Sequence, residues 1–218
     1  MRFPIISKNK YLFGFKLNKN IDFIEIGGGY GHLSRKLFSN GINLVLFVEP
    51  EKEKYKKAKL TLNHQISCQN KLISEIDLKE IKPESKYVCV LMQDVIEHIP
   101  IDDQKKFFQE LKLIYDEITF IGRTPNLKSI FGLRNSFGDN THIYRFTNHS
   151  LEDFLLNLGF SNIDICKEPY QITGLVSLVR LIPYHIILVI LSLSFLFIYG
   201  SWEGFMTPNI VFKAQFKK

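Results

Sequence analysis

The stretch FIEIGGGYGHLSRKL, residues 23–37, has three consecutive glycines and a fourth two places on, and it constrains the fold of this chain more than any other stretch. Ile21, Phe23, Ile24 and Ile26 lead into it at strand-like density. Leu33, Leu37 and Phe38 lead out at helical spacing. The segment reads as strand, tight turn and helix N-terminus. Such a turn offers free backbone N–H groups and the positive end of a helix dipole, and glycine lets a ligand touch the backbone itself. This is a place for a nucleotide-like ligand.

The rest of the chain supplies the matching scaffold. Strand-like runs at 21–26, 44–48, 66–68, 87–92 and 118–122 alternate with helix-like runs at 32–38, 52–62 and 102–115. A long polar loop is expected from "RTPN" at 123–126 to about Thr147. There "TNHSLEDFLLNLGF" reads as a capped helix closed by Gly159, and 163–165 and 210–216 read as the last strands. Repeated strand–helix alternation implies a mostly parallel sheet with helices on both faces. Ligands of such sheets bind at the carboxyl ends of the strands, where the glycine turn lies.

The length of 218 residues suits one domain with about 30–50 residues over for an appendage. The net charge of +6 is unevenly placed. Residues 1–20 carry Arg2, Lys8, Lys10, Lys16 and Lys19 without an acid, and Lys213, Lys217 and Lys218 close the chain. Basic ends suit an anionic neighbour, nucleic acid or lipid surface, or serve solubility alone. Cys68, Cys89 and Cys166 stand far apart without CxxC or paired-histidine spacing, so neither a disulfide nor zinc is expected. No paired metal-type carboxylates and no Ser–His–Asp set are evident, and no metal is expected. The N-terminus does not read as a signal peptide.

Three nucleotide sites compete for the glycine turn. A phosphate loop needs Lys–Ser/Thr after its last glycine, and none follows. The dinucleotide pattern needs glycine at the sixth place, which here is His32 or Ser34. What remains is acid-x-Gly-x-Gly-x-Gly: Glu25, Gly27, Gly29 and Gly31. This pattern resembles the first motif of class I S-adenosylmethionine-dependent methyltransferases. Glu49 then ends the second strand in "LVLFVEP", where a carboxylate accepts hydrogen bonds from a ribose diol. "MQDVIEHIP" at 92–100, "GRTPN" and "HIYRFTNHSLEDFLLNLGF" resemble segments of the ubiquinone- and polysaccharide-type members, types 11 and 23. The resemblance runs from about Ile21 to Phe160. The N-terminal segment, about 20 residues, is short for the helices that usually cover such a site.

That resemblance implies a Rossmann-like α/β fold with a seven-stranded, mostly parallel sheet and an antiparallel last strand. It implies S-adenosylmethionine as cofactor, held by Glu25, Gly27, Gly29, Gly31, Glu49, Gln93, Asp94 and Val95, with Glu97 orienting the loop or the acceptor. A hydroxyl acceptor must lose a proton, work suited to histidine. The candidates are His98 and His142, with Tyr144 and Arg145 nearby to bind the acceptor. Nucleic acid is not expected as a partner. Enzymes acting on base amines usually carry Asn/Asp-Pro-Pro-aromatic where this chain reads "QDVIEH".

The stretch 181–202 contains no Asp, Glu, Lys or Arg. Its length matches a membrane crossing, yet the last core strand follows it, so both flanks belong on one side. An in-plane or re-entrant membrane-docking element is favoured, bent at Pro183, over a single span or a buried or dimer-forming helix. The expected layout is a basic arm at 1–20, a core at 21–173, a docking insertion at 174–204 and the last strand at 205–218. The expected function is O-methylation of a membrane-associated acceptor on the cytoplasmic side. A sugar of a lipid-linked or surface polysaccharide is first choice and a prenylated quinone precursor second. A non-catalytic cofactor-fold module is the competing class, and a dehydrogenase is disfavoured.

Overall fold

The computed structural model describes residues 11–16, 21–62, 66–172 and 174–218. A small antiparallel hairpin, β1 (Tyr11–Leu12) and β2 (Phe15–Lys16), precedes the core. Then follow β3 (Asp22–Ile26), α1 (His32–Ser39), β4 (Leu44–Val48), α2 (Lys52–Lys59), β5 (Ser67–Gln69), β6 (Tyr87–Gln93), α3 (Ile101–Ile114) and β7 (Glu117–Pro125). The chain continues through α4 (Ile130–Gly138), α5 (Asn148–Asn157), β8 (Ser161–Lys167), α6 (Leu175–Val179), α7 (Leu181–Tyr199) and β9 (Asn209–Lys217).

Among the described residues, seven strands form one sheet in the order β5-β4-β3-β6-β7-β9-β8. Every pair from β5 to β7 is parallel, and β9 runs antiparallel to both its neighbours. The order reverses between β3 and β6, so a crevice opens beyond the carboxyl ends of β3, β4 and β6. β3 and β4 are buried along their whole length, as apolar strands covered on both faces must be.

Each face of the sheet carries its own core. Under α3 and α5, Phe108, Phe120, Phe160 and Phe212 interlock, with ring centroids 4.9 Å apart for Phe120–Phe212 and for Phe108–Phe160. Buried Asp22 is held at the start of β3 by the Tyr115 hydroxyl at 3.0 Å and the Asn43 amide at 2.9 Å. On the other face Phe23, Leu33, Leu37, Phe47 and Val211 pack together with Leu12, Phe13 and Phe15 of the hairpin. Part of the expected basic arm is therefore a packed hairpin with a buried apolar side. Its remaining residues, 1–10 and 17–20, lie outside the described ones.

One expectation is corrected here. The long polar loop after β7 contains α4, and strand β7 itself runs through Pro125. Helices α6 and α7 meet at Arg180, whose backbone stays in the right-handed helical region, and Pro183 sits within the first turn of α7, where its missing N–H costs nothing.

Candidate active site

The turn after β3 uses glycine for two separate reasons. Gly27 and Gly29 adopt left-handed φ values of 68° and 56°, where side chains are strained. A Cβ on Gly27 would also stand 2.4 Å from the Val95 side chain, whereas Gly29 faces open space among the described residues. The Gly27 N–H donates to the Val48 carbonyl at 2.8 Å, and the Gly29 N–H donates to Glu49 Oε2 at 2.7 Å. Glu49 also accepts from the Glu51 N–H at 2.9 Å, which fixes its carboxylate at the end of β4. Behind the turn, buried Glu25 accepts from the Ser34 hydroxyl. Burial pushes its carboxyl up to about 7, against the Ser34 bonds that lower it and with Glu49 adding to the rise.

These elements frame a cleft of about 340 Å³. It is walled by the glycine turn, Glu49, Leu72, Ile73, the segment Gln93–Val95, His98 and Ile99. A second, wider cleft of about 790 Å³ adjoins it and shares Glu49, Lys54, Asp94 and His98. That cleft is deepened by Glu97, Arg123, Arg134, Thr141 and His142.

Asp94 links the two clefts. It carries a left-handed φ of 54°, its N–H donates to the Arg123 carbonyl at 2.9 Å, and its carboxylate pairs with the Arg123 guanidinium. Arg123, itself buried, donates on to Glu168 at 2.9 Å. Sequence reading missed Arg123, although an arginine ending a buried strand requires such partners. Next along, Glu97 is 1% exposed, and burial pushes its carboxyl up to about 8 with the nearby Asp94 charge adding to it. Its carbonyl accepts the N–H groups of Ile143 and Tyr144 at 2.9 and 3.0 Å. Those bonds pin the 142–144 segment against 97–98 and bring the His98 and His142 rings to 4.5 Å between centroids. Burial, and then His142, lowers the His98 pKa.

Of the residues singled out from sequence, Glu25, Gly27, Gly29, Glu49, Gln93, Asp94, Val95 and His98 line the cleft beside the turn, and Glu97 and His142 line its neighbour. Gly31 stands behind the turn, where a Cβ would press on Ala58. Tyr144 and Arg145 stand outside both linings. The Tyr144 hydroxyl accepts the Ile101 N–H at the start of α3 while its ring packs on Phe146 and Phe154, and the Arg145 guanidinium lies over the Phe137 ring. Their place in the sequence beside His142 is real, but the chain turns their side chains into packing.

The strand order, the antiparallel β9, the glycine turn and the acid at the end of β4 together define a class I S-adenosylmethionine-dependent methyltransferase. A family model for the methyltransferase domain (Methyltransf_23) matches residues 2–165, and the chain belongs to that family. No curated protein matches it by sequence. Among solved structures it is similar to a SAM-dependent methyltransferase from Archaeoglobus fulgidus. The identity is 19%, with 90% of this chain and 86% of that one covered and a TM-score of 0.60. It is also similar to an S-adenosylmethionine-dependent methyltransferase from Mesorhizobium loti, at 10% identity, 92% and 94% coverage and a TM-score of 0.58. The protein is thus an enzyme whose methyl donor is S-adenosylmethionine. The site fits that donor: an open turn backbone at Gly29, a fixed carboxylate at Glu49 and apolar walls at Leu72, Ile73 and Ile99.

Proposed function

We propose that this enzyme methylates an oxygen of a membrane-associated acceptor, with a sugar on a lipid carrier or surface polysaccharide as the preferred class. The observation that carries the reading is a groove beside α7 that shares lining residues with the wider cleft. A groove of about 460 Å³ lies between α4 and α7, lined by Phe131, Arg134 and Asn135 on one side and Tyr184, Ile187 and Leu188 on the other. Arg134 and Asn135 also line the wider cleft beside His98. A hydrocarbon tail on the groove thus places a polar headgroup beside the cofactor cleft. Helix α7 supports the same reading. Within Leu175–Tyr199 the most apolar window of 18 residues has a mean hydropathy of 2.4, and only 6% of it is buried, so its apolar surface faces outward.

When bound, S-adenosylmethionine supplies a methyl group already activated on a sulfonium, so the chain's own task is alignment and exclusion of water. In this reading Glu49 takes the ribose hydroxyls, Gly29 gives backbone access, and Gln93, Asp94 and Val95 shape the floor. The wider cleft seats the acceptor, and the Glu97–His98–His142 cluster lies at the seam where the acceptor's hydroxyl must lose its proton.

The test is transfer from tritiated S-adenosylmethionine to vesicles made from a membrane lipid extract. Label in the organic phase is expected, and a Gly29→Arg variant, which puts a strained side chain into the cleft, should abolish it. Label confined to water-soluble acceptors would reject the membrane-associated class.

A further inference from the structure

Glu97, His98 and His142 each bring one donor atom within 4.8 Å of the other two. Neither Glu97 oxygen makes a hydrogen bond of normal geometry among the described residues, and the Thr124 hydroxyl offers it a weak contact only. A buried carboxyl group left without a firm partner costs about 1–3 kcal/mol. The ring tautomers follow from the partners behind the histidines. His142 Nδ1 faces the Ser136 carbonyl at 3.0 Å, which only accepts, so Nδ1 carries the proton. The Thr141 hydroxyl donates to Asp139 at 2.5 Å, so at 2.9 Å from His98 it accepts from that ring's Nδ1–H. Both rings keep Nε2 as the lone-pair nitrogen, and His142 Nε2 lies 3.9 Å from Glu97 Oε1. Outer hydrogen bonds that fix tautomer and ring orientation are how proteins prepare histidine ligands.

We propose that Glu97, His98 and His142 bind a divalent first-row transition cation at the seam between the cofactor and acceptor clefts. Two imidazoles and one carboxylate suit Mn²⁺, Fe²⁺, Co²⁺ or Zn²⁺ better than an all-oxygen ion such as Ca²⁺, and three protein donors leave coordination positions open. His98 lines both clefts, so those positions lie where the acceptor enters. The role assigned to the cation rests on the methyl-transfer reading above. An acceptor hydroxyl bound to it loses its proton to water in the open cleft more readily. The resulting alkoxide oxygen forms the new O–C bond as the C–S bond breaks and its electron pair goes to sulfur. The spacing in the sequence hides this site, because Glu97–His98 and His142 meet only through the Glu97 carbonyl bonds to residues 143 and 144.

The test uses full-length, metal-stripped protein in detergent, titrated with Mn²⁺ by electron paramagnetic resonance and with Co²⁺ by visible absorption. One saturable site per chain is expected. Glu97→Gln and His142→Ala should each weaken Mn²⁺ binding at least tenfold. Thr141→Val, an exposed change behind His98, should weaken it about tenfold. Calorimetric binding of S-adenosylhomocysteine should survive in all three variants, which separates loss of the ion from loss of the fold. Absence of a site in the wild type, equal affinity in the variants, or full methyl transfer after chelation would each overturn the proposal. Metal binding is read without any acceptor, so a bound ion with no lipid labelling would reject the acceptor class and leave the cation site standing.

Discussion

At the scale of single residues, the glycines and acids of the turn were legible because backbone geometry dictates residue type there. Glu25 carries a testable consequence. Its folded-state carboxyl sits near 7 because of burial, while in the unfolded chain it returns to about 4.5. The folded protein therefore holds this proton more tightly than the unfolded one. Stability should fall as pH rises from about 4.5 to 7 and level off above, a total of roughly 3 kcal/mol. Urea midpoints at pH 5, 6 and 8 for the wild type and Glu25→Gln should show the steeper fall in the wild type, the difference being the Glu25 contribution. Glutamine keeps an acceptor for Ser34, and Glu97 tilts both curves alike, so it cancels in the difference. Equal slopes in the two proteins would show that Glu25 is not held neutral. Arg123 was not legible in the same way, because its partners Asp94 and Glu168 stand 29 and 45 residues away and only the sheet register joins them.

At the scale of elements, strands and most helices were readable from period and caps, and α4 was the exception. Its segment reads as part of a long polar loop, and it carries Gly132 and Gly138, residues that weaken a helical pattern. Gly132 is there for packing: a Cβ on it would stand 1.9 Å from the Asn126 carbonyl and 2.6 Å from that of Pro208. Helix α7 was legible for the opposite reason, being apolar all round with no charge to mislead the eye. Exposed side chains such as Ile190, at 56%, and Phe197, at 85%, contribute little to the fold. The double change Ile190→Glu, Phe197→Glu should leave the unfolding midpoint nearly unchanged and reduce co-flotation with vesicles at least tenfold, since each charge opposes entry into hydrocarbon. Undiminished flotation would move the membrane contact to another surface.

At the scale of the whole molecule, the register of the last two strands limits how α7 could meet a membrane in the docking reading proposed above. Lys167 ends β8 opposite Ile210 near the start of β9, so the chain departs and returns at one end of the sheet. Nineteen helical residues span about 28 Å, close to the hydrocarbon thickness. A crossing would force residues 200–208 to come back through lipid as unpaired backbone, which hydrocarbon does not tolerate. That return segment is tied to the core instead. Lys128 pairs with Glu203 at 2.6 Å, and buried Asn126 donates to the carbonyls of Phe205 and Thr207 at 2.7 and 2.9 Å. In the docking reading proposed above, these ties favour α7 in the plane of one leaflet, with the clefts facing the water on that side. Trp202, the chain's single tryptophan, follows the helix directly and is 56% exposed, so it reports the outcome. With protein added to preformed vesicles, iodide in the outer solution should quench its fluorescence. Lipids brominated near the headgroup should quench it more than lipids brominated near the chain ends. Indifference to outer iodide would place Trp202 beyond the outer leaflet and require a crossing helix, with the sheet and the end of α7 on opposite sides.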